Sequence, residues 1–594
     1  MSFSAPVDDI AFTLEYATDF PALRKLSEFA DFGSDTLMAV LGEAARFSDD
    51  VVAPLNRVGD IEGARLENGV VKTPAGFADA YHAFVDGGWM GLSASPDHGG
   101  QGLPYSVNVA VCEMINSGSM AFALSALLTQ SAASTLAAHG SDDLKRRFLD
   151  KLTSGEWSGT MNLTEPQSGS DLATIKSRAE PAGDGSYLIH GQKIYITYGE
   201  QEWTENIIHL VLARLPHAPE GTRGISLFLV PKRLVDENGN VGDANEVRAL
   251  RLEEKLGIHA SPTCVMSYGE TLGAVGYLVG EPHQGLGAMF TMMNLARLMV
   301  GTQGVAVAER ATQQAQEFAN VRLQGRRDGD PSNVSVPIIR HPDVKRMLVK
   351  MSALTAAARS ICLNAAVAFD LSRHGEEENT RAAANARADL LTPIAKSFAT
   401  DIGVDVASTG VQVHGGSGYM EETGAAQHLR DARILPIYEG TNGIQAIDLV
   451  LRKVARDNGK EAQLLIEEIR GYAHDAITSN DPRFCQLGYS LNEAVEHLAD
   501  ATDWVVSTAL SDRDRVLAGA CAYLRLFALT AGCGFLARGA LGSVRDRPDH
   551  EESARAVFLT QFFSETILGE SVGLHRSVTR TGEIIKAGGS QIKA

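Results

Sequence analysis

In the stretch RDARILPIYEGTNGIQAIDL, residues 430–449, the middle one of three carboxylates, Glu439, stands between an apolar run and a turn. Ile434, Leu435, Pro436 and Ile437 precede it with Tyr438, and Gly440, Thr441, Asn442 and Gly443 follow before a new helical pattern. Apolar neighbours disfavour a charged carboxylate, so its pKa rises toward neutral and it becomes suited to pulling a weakly acidic proton from carbon. A solvated glutamate at a helix start has the same local pattern, so the surroundings must decide between the two.

Three other stretches carry residue types suited to binding. In MNLTEPQSGSD, from Met161, the hydroxyls of Thr164, Ser168 and Ser170 flank Gly169, where a backbone amide can approach a polar heterocycle or a phosphate. A plain turn fits that pattern equally. In QVHGGSGY, from Gln412, a helix C-cap needs one glycine, whereas Gly415, Gly416 and Gly418 supply three. Either a partner packs on this backbone or the loop turns tightly. His414 has no second ligand three or four residues away and is expected to be structural. In MNLAR, Arg297 interrupts an apolar helix, and a buried arginine wants an anionic or carbonyl partner. A partly exposed helix face also explains it.

The elements that must hold these residues follow from periodicity. Residues 34–155 have helical spacing, for example Leu37, Val40, Leu41 and Ala44. Residues 156–285 carry short β-branched runs (SYLIHG, KIYIT, IIHLVLARL, GISLFLVPK, TCVMSY, VGYLVG) separated by turn residues, which predict an antiparallel sandwich or barrel. Residues 286–455 return to long helices with the spacing of a four-helix bundle and a polar loop over 325–337. Residues 456–594 read as one more helical domain, and 1–33 as an N-terminal extension. The expected fold is therefore mostly α with an inserted β domain.

The 594-residue chain exceeds one hydrophobic core, and 44% apolar with 21% charged residues describes an ordinary globular composition. A net charge of −20 opposes nucleic acid as a main partner. The final domain, with 15 Lys and Arg against 19 Asp and Glu from residue 456, is not a basic arm. Six scattered cysteines show no metal spacing, and no metal site is expected. The opening residues carry acids early and lack a secretory pattern, so a cytoplasmic location is expected. Met114 to Ser141 is the one stretch read as long enough to question as membrane-spanning, and its Ser, Thr, Asn and Gln content predicts a helix buried among helices.

LTEPQSGSD, QVHGGSGY and RDARILPIYEGT, in this order among helical, strand and helical zones, resemble the signatures of the acyl-CoA dehydrogenase family over about 34–456. KLGIHASPT and the terminal helical zone resemble the long branch of that family, which includes members acting on 3-(methylthio)propanoyl-CoA in dimethylsulfoniopropionate breakdown. The resemblance implies FAD as cofactor, an acyl-CoA substrate and a trans-2-enoyl-CoA product, with Glu439 as catalytic base. It implies flavin contacts from Met161, Leu163, Thr164, Gly169 and Ser170, from Tyr195, Ile196 and Thr197, and from Thr441 and Asn442. Ser170, Asn294, Arg297 and Gly440 fall on substrate-contacting positions. Arg322 and Gln324, and Gln412, Val413, Gly415 and Gly416, match segments that reach the FAD of a neighbouring subunit, which implies a homodimer. Electron-transfer flavoprotein is the implied electron acceptor.

Tyr195 replaces the family's usual tryptophan, and Gln427 stands where Lys or Arg is common. Asn162 is unusual at its position, and LQG follows Arg322 in place of a longer motif. Ala296 occupies the position where some members carry their base, leaving Glu439 without a rival. The competing functions are a general fatty acyl-CoA dehydrogenase, an acyl-CoA oxidase, a DNA-binding alkylation-response flavoprotein and a non-catalytic acyl-CoA binder. The acidic charge opposes the third and the retained base opposes the last.

Overall fold

The computed structural model describes residues 3–326 and 334–588. Of the polar loop expected over 325–337, residues 327–333 lie outside the described residues. The chain forms two compact units, one of 46–108 with 118–296 and the other of 1–45, 109–117 and 297–594.

The first unit is built on an eight-stranded sheet. SYLIHG and KIYIT fuse into one long strand, Tyr187–Thr197, which pairs with Thr263–Tyr268, Ala274–Val279 and Arg178–Pro181. Most pairings are antiparallel, as the spacing predicts. However, Ser158–Asn162 runs parallel to Ile207–Arg214, because a long excursion separates the two strands and no hairpin joins them. Ile189, Ile196, Val211, Phe228, Val230 and Met266 fill the core of this sheet.

Helix Met120–His139 lies in the same unit and is apolar all round, the signature of a helix buried on every side. Its polar residues do not need water. Thr129 and Thr135 donate their hydroxyls to the carbonyls of Ser125 and Ser131. A Cβ on Gly159 would stand 2.6 Å from that of Ala132, so strand Ser158–Asn162 packs directly on this helix. Among the described residues two further helices, Pro342–His374 and Arg513–Asp546, are also long and apolar enough to cross a membrane, so the sequence reading of one such stretch was too narrow. The apolar windows of the three are 83%, 83% and 72% buried inside the fold.

The expected all-helical zone of 34–155 also contains a hairpin, Arg65–Glu67 with Val70–Lys72. Its turn residues Asn68 and Gly69 both have positive φ, 51° and 82°, the Asn-Gly turn that suits the twist of a two-strand ribbon.

The second unit is helical. Gly285–Val321, whose larger part belongs here, Pro342–His374 and Glu378–His414 are its long members. Helices Gly285–Val321 and Glu378–His414 cross with almost no separation. A Cβ on Gly304 would stand 2.2 Å from the Ala399 carbonyl oxygen, and one on Gly403 would stand 3.0 Å from that of Gly304. Helix Arg513–Asp546 packs on Pro342–His374 where Gly532 meets Ala357 and Ile361. The N-terminal segment, expected as an extension, is an integral part of this unit: helix Val7–Ala17 buries Ile10, Leu14 and Ala17, and the Ala17 carbonyl accepts from Asn364. Arg359 joins it to the bundle from a fully buried position, 2.7 Å from Glu113, 2.8 Å from Glu309 and 4.0 Å from Asp9.

Candidate active site

In the helical unit, the chain leaves helix Ala425–Ala432, runs through Ile434 to Tyr438 as a tight turn, and enters helix Asn442–Asp448 with Thr441 as its N-cap. Glu439 lies at the bend with φ 55°, followed by Gly440 at φ 85°. Two consecutive left-handed residues reverse the chain sharply. For glutamate that conformation is costly, so neighbours must impose it. Four residues do so. The Asn442 amide donates to the Pro436 carbonyl at 3.0 Å. Buried Gln445 donates to the carbonyls of Glu439 and Gly440, both at 3.3 Å. Tyr438 donates its hydroxyl to Gln303, which in turn donates to Asn116 at 3.1 Å. Lys396, fully buried, donates to the Leu435 carbonyl at 2.9 Å and to Asn442 Oδ1 at 2.8 Å.

This enclosure sets the acidity of the base candidate. Burial raises Glu439 from 4.5 to about 7, against the opposing pull of Arg297 and Lys396. Burial also brings Lys396 down to about 7, with Glu439 and Asp401 resisting. Arg297 is 6% exposed, and its guanidinium lies 3.7 Å from where a Cβ on Gly440 would sit. The site is thus a near-neutral carboxylate beside a buried guanidinium and a buried ammonium.

In the sheet unit, the LTEPQSGSD turn is anchored by a buried ion pair. Glu165 Oε1 lies 2.8 Å from Lys193 Nζ, and the same carboxylate accepts from Ser177 and from the amides of Lys176 and Ser177. These donors hold the Glu165 carboxyl down at about 2 despite its burial. Lys193 also donates to the Leu163 carbonyl, and the Ile194 amide donates to that of Thr164, so the turn is registered against Tyr195, Ile196 and Thr197. At Tyr195 the strand bulges: its pairing with Thr263–Tyr268 slips by one between Cys264 and Met266. The bulge puts Tyr195 at φ 60° and leaves the residue 61% exposed.

The remaining predicted residues divide by environment. Met161 and Ile196 are buried in the core, whereas Ser170, Arg322, Gln324, Gln412, Gly415 and Gly416 are exposed. Leu163, Thr164, Thr197 and Asn294 are partly buried, as are Gly440, Thr441 and Asn442. Val413 is buried. The Asn442 side chain is occupied by Lys396, Thr400, Ser397 and Asp401, and its backbone amide by the Pro436 carbonyl. Gly418 is required by packing, since a Cβ there would stand 2.4 Å from the Val411 carbonyl oxygen. Gly416 and Gly169 meet nothing within 4 Å. His414 is structural: it bonds the Gly410 carbonyl at 2.7 Å and stacks on Phe318.

Sequence reasoning missed Lys396, Gln445, Gln303 and the pair Glu165 and Lys193. A lysine inside the apolar run TPIAKSFA was the available signal for the first.

Four family models match in series. "Acyl-CoA dehydrogenase, N-terminal domain" matches residues 34–156, "middle domain" 160–270 and "C-terminal domain" 283–454. "Acetyl-CoA dehydrogenase C-terminal like" matches 465–586. The 3-methylmercaptopropionyl-CoA dehydrogenase of Ruegeria pomeroyi is 46% identical over 586 residues, 98% of this chain and 99% of that one. The chain belongs to the acyl-CoA dehydrogenase family.

A butyryl-CoA dehydrogenase of Syntrophomonas wolfei is 33% identical over 78% of this chain and 77% of its own length. Among solved structures, Caenorhabditis elegans ACDH-11 in complex with C11-CoA shares the fold at TM-score 0.77 and 21% identity, covering 97% of this chain and 95% of that one. An acyl-CoA dehydrogenase from Bacillus anthracis, complexed with FAD, does so at 0.75 and 20%, covering 99% and 94%. As a member of the family, this chain is an FAD-dependent oxidoreductase that dehydrogenates acyl-CoA thioesters. Within the sheet unit the residues present fit that cofactor: an exposed Tyr195 on a bulge beside a turn rich in hydroxyls, with Gly169 facing open space.

Proposed function

We propose that Glu439 removes the α-proton of 3-(methylthio)propanoyl-CoA, giving 3-(methylthio)acryloyl-CoA. FAD, when bound, accepts the β-hydrogen as hydride. The observation that carries the proposal is the Glu439 carboxylate itself, held at a left-handed bend with its pKa raised to about 7, a value matched to general-base work near neutral pH. Arg297 keeps the carboxylate form accessible, and Tyr438 and Gln445 hold its orientation. Near full-length similarity to the Ruegeria pomeroyi enzyme supports the methylthio substrate. The same site chemistry accommodates a general fatty acyl-CoA substrate.

In this reading Met161, Leu163, Thr164, Gly169, Ser170, Tyr195, Ile196, Thr197, Thr441 and Asn442 hold the flavin. Ser170, Asn294, Arg297 and Gly440 hold the thioester. The segments carrying Arg322 and Gln324, and Gln412, Val413, Gly415 and Gly416, all exposed but for Val413, reach the cofactor of a second copy, making the working unit a homodimer in the cytoplasm. Electron-transfer flavoprotein reoxidises the enzyme.

The test is an anaerobic titration of the flavin-loaded protein with 3-(methylthio)propanoyl-, butanoyl-, octanoyl- and palmitoyl-CoA, following the oxidised flavin band. The methylthio thioester is expected to bleach the band at the lowest concentration. Preferential bleaching by a longer chain moves the substrate assignment to fatty acyl-CoA. In Glu439→Gln, acyl-CoA binding and flavin content are expected to persist while turnover falls by about 10²–10⁴-fold, as for a lost positioned base.

A further inference from the structure

Lys396 sits in the middle of helix Glu378–His414 with none of its surface exposed. Its ammonium reaches both ends of the loop that carries Glu439: the Leu435 carbonyl before it at 2.9 Å and Asn442 Oδ1 after it at 2.8 Å. Both acceptors are neutral. A clip between two neutral acceptors needs only a neutral donor, whereas burying an ammonium costs several kcal/mol unless a charge compensates it. The carboxylates that act on it are Glu439 and Asp401, and Arg297 opposes them. Asp401 is shared, because it also accepts from Asn442 Nδ2 at 2.8 Å and faces Arg433 and Arg525. Arg297 is shared too, between Glu439 and the pair formed by Asp448 and Arg452.

We propose that Lys396 is a positioning residue for the base: it clips the loop from Leu435 to Asn442 in its bent form and, while protonated, adds a positive charge that favours the carboxylate of Glu439. The proposal rests on Glu439 being the base. The close crossing at Gly304 and Gly403 places helix Glu378–His414 against Gly285–Val321, so the ammonium and the Arg297 guanidinium stand on two helices whose separation backbone contact sets. The carboxylate is therefore served from two fixed positions, by the Arg297 guanidinium and by Lys396 while it is protonated. Arg297 acts from the Gly440 side, and Lys396 acts through the loop ends.

Three variants test this: Lys396→Met, Lys396→Arg and Glu439→Gln. Flavin content and melting temperature establish folding. The readouts are the acid limb of kcat/KM and the pH dependence of enoyl-CoA binding followed by the flavin spectrum. Removing the positive charge makes the carboxylate harder to form, so in Lys396→Met both are expected to move up by roughly one pH unit or more. In Lys396→Arg they are expected to stay near wild type. A folded, flavin-loaded Lys396→Met with an unmoved acid limb overturns the role of Lys396 while leaving the base in place. Equal shifts in the Met and Arg variants overturn the role of its charge. Near-normal turnover in Glu439→Gln overturns the base and this proposal with it. If Lys396→Met does not accumulate folded, Lys396→Gln, which keeps an amide donor and lacks the charge, gives the same comparison.

Discussion

Glu439 and Tyr195 share an unusual backbone, non-glycine residues at positive φ (55° and 60°), each beside a segment that the family resemblance marks as flavin-facing. Such conformations cost of order 1–3 kcal/mol each and persist only where the surroundings impose them. At Glu439 the imposed state also penalises the carboxylate. With the folded pKa raised from 4.5 to about 7, the folded protein holds its proton more tightly than the unfolded chain between those values. Stability therefore falls as pH rises from 4.5 toward 7 and the full penalty applies above 7. Glu439→Gln is expected to be more stable than wild type by about 1–3 kcal/mol at pH 8, with the difference vanishing below pH 4.5. Denaturant unfolding at several pH values measures it. The same shift predicts that kcat/KM rises with pH through about 7 and then levels, because only the unprotonated base accepts a proton. The motif around Glu439 was legible in the sequence. Its backbone state was not, since glutamate does not favour positive φ and, besides nearby Gln445, the restraints come from Gln303 and Lys396, distant in the chain.

At the scale of elements, the turn proposed to face the flavin depends on a buried pair, Glu165 and Lys193. Removing one member strands the other, so Lys193→Met is expected to cost about 3–5 kcal/mol, with flavin content falling as the turn loses its register on Tyr195. Urea unfolding and the ratio of flavin to protein absorbance test this. The Glu165 carboxyl, held at about 2, contributes stability that is complete above its ordinary 4.5 and lost as pH falls through 2. The helix crossing is equally specific: Gly304→Ala sets a methyl 2.2 Å from a carbonyl oxygen that cannot yield, and about 1–3 kcal/mol of destabilisation is expected. Periodicity made the alternation of helical and strand zones readable. The hairpin at 65–72 carried its Asn-Gly signal openly but is too short to interrupt a helical average. The parallel pairing of Ser158–Asn162 had no local signal, because strand direction is set by where the chain travels between strands.

At the scale of the whole molecule, the extra terminal domain is part of the helical unit's core. Arg538 of helix Arg513–Asp546 donates to the Thr18 carbonyl and pairs with Asp19, and the Gly532 contact seats this helix on Pro342–His374. A bundle face covered in this way is not available to another subunit, whereas the segments proposed to reach a partner's cofactor are uncovered. Tyr419 is 85% exposed, with Met420, Val321 and Leu323 also exposed. Apolar side chains that stand out of the fold beside proposed cofactor segments fit an interface between two copies. Light scattering is therefore expected to give a dimer, twice the chain's 63.4 kDa, and a tetramer would show that the covered face is not the one that limits assembly. Tyr419→Asp combined with Met420→Asp places two charges on that surface without touching the fold's core. It is expected to shift the protein to monomers and to lower flavin retention in parallel, because each cofactor site would lose the residues contributed by the other copy. A monomer that keeps its flavin would separate assembly from the site.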